Sequence, residues 1–76
     1  MVNQEKIIAA LKEVITSVQA SDNNRIMQAL ISLIQICHSE GMNADHVNQL
    51  LEQNGIQGGD GLRNFVIAQF AAINQA

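Results

Sequence analysis

The stretch Asp22-Asn23-Asn24-Arg25-Ile26-Met27-Gln28-Ala29-Leu30-Ile31-Ser32-Leu33-Ile34-Gln35-Ile36-Cys37-His38-Ser39-Glu40-Gly41 decides the fold. Its apolar residues are Ile26, Met27, Leu30, Ile31, Leu33, Ile34, Ile36 and Cys37. They recur at helical spacing rather than in the strict alternation of a strand. At about 100° per residue they cover well over half the helix circumference, leaving a polar strip of Gln28, Ser32, Gln35 and Ser39. Asp22 can accept from the free N–H groups of the first turn, and Gly41 can take the left-handed conformation that ends a helix. The segment therefore predicts a helix over 23–40. An apolar arc this wide places it at the centre of the domain or in an interface. Met27, Ile31 and Ile36 lie at the margins of the arc and are the expected partner-binding residues.

Working outward, Ile7, Ile8, Leu11, Val14, Ile15 and Val18 form a single stripe at three- and four-residue spacing. Lys6, Lys12, Glu13 and Thr16 fall on the other side. This predicts a surface helix from Asn3, its N-cap, to Ala20. Only Ala20-Ser21-Asp22 separates it from the next helix, so the two pack as a hairpin. Downstream, Asn43 caps a short helix over 44–53 that turns Val47, Leu50 and Leu51 inward. Met42 and Val47 are spaced as a hydrophobic staple, and Gly55-Ile56 as a Schellman end. A fourth helix is expected from Gly61 to Asn74, with Asp60 as N-cap and a stripe of Leu62, Phe65, Val66, Phe70 and Ile73. Gln69 falls inside that stripe and calls for a hydrogen-bond partner. The expected fold is all-α: one domain over residues 1–76, a compact four-helix bundle in which an antiparallel hairpin of helices 1 and 2 is closed by a short helix 3 and helix 4.

Composition narrows the function. The net charge is −3 and only 14% of residues are charged, against about 25% in ordinary domains. Such a surface has weak long-range fields and steers neither nucleic acid nor an anionic membrane. With no Trp or Tyr and only Phe65 and Phe70, stacking platforms for single-stranded nucleic acid are missing. Cys37 is the only cysteine, so no disulfide forms within one chain. It reads as a small buried apolar group in a reducing, cytoplasmic setting. No apolar run reaches the roughly 20 residues that span a bilayer, and the first residues do not form a leader.

Four constellations could carry chemistry. The Gly41 turn between the second and third helices has the length of a helix-turn-helix unit. There the third helix would present Asn48, Gln49 and Gln53 to adenine edges, and Arg25 would serve a phosphate. That helix also carries Asp45 and Glu52 and no Lys or Arg, whereas phosphate contacts supply most of the binding strength. The glycine-rich run 55–61 lacks the Lys-Ser or Lys-Thr pair of a phosphate loop. Cys37, His38, Asp45 and His46 are metal-capable, but their spacing matches no zinc pattern. The pairs Glu5/Glu13 and Asp45/Glu52 read as solvated charge, since acid–base work needs a cleft that separates two pKa values. The expectation is a non-enzymatic protein–protein interaction module, an adaptor, inhibitor or regulatory subunit. It would bind a protein partner or a second copy as a homodimer, without cofactor, metal, membrane or nucleic acid. The alternative is a dimeric helix-turn-helix regulator.

Overall fold

The computed structural model describes residues 4–56 and 58–75, so the expected cap Asn3 lies outside the described residues. The chain is all-helical, with α1 (Gln4–Gln19), α2 (Asn23–Ser39), α3 (Ala44–Gln53) and α4 (Gly59–Gln75).

Local chemistry sets most of these boundaries. The Asp22 carboxylate accepts from the Arg25 N–H at 3.2 Å and starts α2. At α3, Asn43 Oδ1 accepts from the His46 N–H at 2.9 Å, and His46 Nδ1 reaches back to the Asn43 N–H at 3.5 Å, a capping box closed by histidine. Three helices end in the same way. After α2, Gly41 N–H bonds the His38 carbonyl and Met42 N–H the Cys37 carbonyl. After α3, Gly55 bonds Glu52 and Ile56 bonds Leu51. Both are Schellman ends, with φ of +84° at Gly41 and +79° at Gly55. After α1 the identical pattern, Ser21 to Val18 and Asp22 to Ser17, is built on a serine with φ +55°.

The start of α4 differs from the expectation. The helix begins at Gly59, two residues before Gly61, and Asp60 lies inside its first turn rather than at the cap. The Gly58 carbonyl accepts the Leu62 N–H at 3.4 Å, so the glycines carry the helix further back than a carboxylate cap would. Asp60 is still favoured there by the partial positive charge of the helix start.

The core is built from every helix. Ile7, Leu11 and Val14 of α1 meet Ala29, Leu30, Leu33, Ile34 and Cys37 of α2, with Val47 and Leu51 of α3 and Val66 and Phe70 of α4. The connection between α1 and α2 turns the chain back so that their stripes pack on each other. Helix α4 rests on both α2 and α3. The Cα radius of gyration, 11.5 Å, is that of a fully collapsed chain of this length, about 11.4 Å.

Candidate functional site

Two surface features stand out from the core. The first is a seam between α2 and α4. His38 Nε2 lies 2.8 Å from Asn74 Oδ1, and the His38 ring tilts at 58° against Phe70 with centroids 5.8 Å apart. Met27, Ile31 and His38 occupy one flank of α2 within about 40° of each other. On α4, Ile67 and Asn74 are likewise within about 20°. The His38–Asn74 bond therefore joins two flanks that each carry unburied apolar side chains. Met27 is 53% exposed and Ile67 47% exposed. Ile31 is half-buried and lies outside the set of side chains packed on the core.

The expected partner-binding trio is split by this geometry. Met27 and Ile31 share the seam flank. Ile36 sits about 140° around the helix from Ile31 and packs on the core. The wide arc seen in sequence has two margins: Ile36 on one packs on the core, and half-buried Ile31 with exposed Met27 lie on the other.

The second feature is a cavity of about 600 Å³ between α3, the segment after it and the first turns of α4. Leu51, Ile56 and Leu62 supply its apolar wall, and Glu52, Asp60 and Arg63 its charged rim. Arg63 Nη2 stands 3.7 Å from Glu52 Oε1, with both side chains mostly in solvent. Gly58 lets the connecting segment close tightly on α4, since a Cβ there would lie 2.5 Å from Leu62 Cβ. Asn48 also lines the cavity and is only 7% exposed. Its Nδ2 is buried without a hydrogen-bond partner among the described residues.

This corrects the placement of Asn48 on the exposed face of α3. The α3 stripe is wider than Val47, Leu50 and Leu51, and it takes in Asn48 beside Val47. Gln49 and Gln53 are exposed as expected, next to Asp45 and Glu52. Arg25 is held by Glu13 of α1, Nε to Oε1 at 2.9 Å, on the α1 side of α2. Asn48 is thus buried beside Val47, while Gln49 and Gln53 lie on the exposed face of α3 and Arg25 beside α1.

No protein family matches the chain, and neither does any curated protein or any solved structure. Its chemistry is therefore read from its own residues. Burial pushes the Cys37 thiol up to about 11, far from the range of a nucleophile at neutral pH. His46 is committed to the α3 cap and His38 to Asn74. Among the described residues, no group of three His, Cys, Asp or Glu comes together as metal ligands would. No described helix is long and apolar enough to cross a membrane. Sequence reasoning missed two buried polar groups, Asn48 and Ser17. The Ser17 hydroxyl donates to the Glu13 carbonyl at 2.7 Å and so hides inside an apolar stripe. Their only sequence signal is position, at helical spacing from Leu51 and from Val14.

Proposed function

We propose that this chain is a non-enzymatic protein–protein interaction module, an adaptor, inhibitor or regulatory subunit of the cytoplasm. In this reading the arrangement is a four-helix bundle, the α1–α2 hairpin closed by α3 and α4, and it docks through the α2–α4 seam. The observation that supports it is the exposed Met27 and Ile67, with half-buried Ile31, on the two flanks that the His38–Asn74 bond joins. Isolated apolar side chains on a surface carry no message, but a row of them across two packed helices suits a partner that removes them from water. Met27 adds an unbranched side chain able to adapt to the partner's shape. A second copy of the chain is the simplest occupant, since one two-fold contact covers both seams at once.

The test uses a substitution that spares the core. Ile31→Asp places a charge in the seam while leaving every packed side chain in place. Sedimentation equilibrium of the wild-type protein, together with affinity capture of the tagged chain from host lysate after nuclease treatment, reads both kinds of occupant. Self-association, or a stoichiometric protein partner, that disappears in Ile31→Asp supports the module. A wild-type chain that stays monomeric and captures no partner sensitive to Ile31→Asp refutes it.

A further inference from the structure

Asn54-Gly55 is the only Asn-Gly pair in the sequence, and it stands where α3 ends. Asparagine is a chemically labile residue, and its side chain is attacked most readily by the nitrogen of a following glycine, which has no Cβ to hinder the approach. Every other asparagine of the chain is followed by a residue with a Cβ. Asn54 and Gly55 are both exposed, and the space beside the Gly55 Cα is open, so base and water reach the pair.

The fold holds this chemistry back. Asn54 Nδ2 donates to the Leu50 carbonyl at 2.7 Å, which ties the side chain back along α3. Gly55 N–H donates to the Glu52 carbonyl at 3.1 Å, and Ile56 N–H to the Leu51 carbonyl at 3.0 Å. With ψ of 14° at Asn54, the Gly55 nitrogen points away from the Asn54 side chain. A five-membered ring needs that nitrogen and Cβ on the same side of the Cα–C bond. The bonds to Leu50 and Glu52 must break and ψ must rotate before the ring closes. Openings of this kind at a helix end are local and do not require the whole domain to unfold.

In the open state the Gly55 nitrogen attacks Cγ of Asn54. The N–Cγ bond forms, the Cγ–Nδ2 bond breaks, and Nδ2 leaves as ammonia together with the Gly55 proton. Water then opens the cyclic imide. Cleavage of the N–Cγ bond gives aspartate. Cleavage between the nitrogen and the Asn54 main-chain carbon gives isoaspartate, whose backbone runs through Cβ and is one methylene longer. Either product places a negative charge at the end of α3, where the helix dipole disfavours it, and neither keeps the donor for Leu50. Isoaspartate also moves the Gly55 and Ile56 N–H groups out of register with Glu52 and Leu51, which frees Ile56 from its place against the core.

We propose that Asn54 is a modification site, converted to aspartate and isoaspartate through local opening of the α3 end, and that the conversion to isoaspartate releases the segment before α4. This chemistry is independent of the seam.

The test incubates the full chain in mildly alkaline buffer, folded and in denaturing urea. Peptide mass mapping follows residue 54 and separates its aspartate and isoaspartate forms. Hydroxylamine, which cleaves the imide, reports the intermediate as a cut between residues 54 and 55. Conversion at Asn54 is expected to outpace that at every other asparagine in both states. It should run about 25-fold slower in the folded chain, the effect of two hydrogen bonds at roughly fivefold each. Urea too dilute to unfold the chain should change the folded rate little, because a local opening exposes little surface. The purified isoaspartate form should lose hydrogen-exchange protection at the Ile56 amide and keep it in α1 and α2. Asn54→Gln, which would have to close a six-membered ring, should stay unconverted. Equal rates in the folded and unfolded chains, or a folded rate that climbs with urea in step with global unfolding, overturn the proposal. So does an isoaspartate form that keeps Ile56 protected, or the absence of conversion at Asn54 in both states.

Discussion

Replacing Asn48 by Leu should stabilise this protein, although Asn48 is buried in its core-facing surface. Leu has the same branched arrangement of side-chain heavy atoms, so the shape of the site is kept. The substitution removes a buried donor that has no partner, a group whose burial costs about 1–3 kcal/mol. It also replaces a poor helix former by a good one inside α3, which adds up to about 0.5 kcal/mol. The extra bulk of the methyl groups can expand toward the cavity of about 600 Å³, so overpacking strain is small. A net gain of about 1–2 kcal/mol follows, and with it a rise in Tm of about 4–8 °C for each kcal/mol in a domain of this size. The chain has no Trp or Tyr, so urea unfolding is best followed by far-ultraviolet circular dichroism. The midpoint should rise with an unchanged slope. Asn48→Asp is the companion. It places a carboxylate in the same low-polarity site near Glu52 and Asp60, and should lower stability by about 2 kcal/mol or more. If Asn48→Leu destabilises as much as Asn48→Asp, the amide is partnered in solution and has a structural role, and the reasoning fails.

Three further outcomes follow from Ser21 and Cys37. Ser21→Gly should raise stability by about 0.5–1 kcal/mol, because φ of +55° strains a serine but not a glycine; no change in the unfolding midpoint would mean that Ser21 relaxes out of this conformation. Cys37 should react with a disulfide reagent only at the rate of global unfolding at neutral pH. Because the folded thiol sits near 11, above its ordinary value of 9.0, its contribution to stability is full below about pH 9 and is lost as pH rises toward 11. Cys37→Val should flatten that alkaline decline, and an equal decline in both proteins would show that the thiol does not cause it.

Much of the fold is legible in the sequence, because helix stripes and helix ends are local properties. The apolar residues of α1 and α2 fall at helical spacing, and Asp22, Asn43, Gly41 and Gly55 carry capping chemistry within a few residues of where it acts. The same logic misreads the start of α4, where glycines extend the helix past Asp60. It also overlooks the left-handed end of α1, because Ser21 does not advertise a positive φ as glycine does.

The sites are less legible, since they depend on which flank meets which neighbour. Periodicity marks the eight apolar residues of α2 but cannot tell its two margins apart. Only the packing of α4 beside His38 separates Ile36, which joins the core, from Met27 and Ile31, which stay at the seam. The burial of Asn48 is likewise a tertiary outcome. Its residue type favours an exposed position, and it is buried because Val47 and Leu51 anchor α3 with that side inward. Local sequence thus encodes four helices and most of their ends. The long-range packing of α4 on α2 and α3 decides which polar and apolar groups are buried and which stay at the surface.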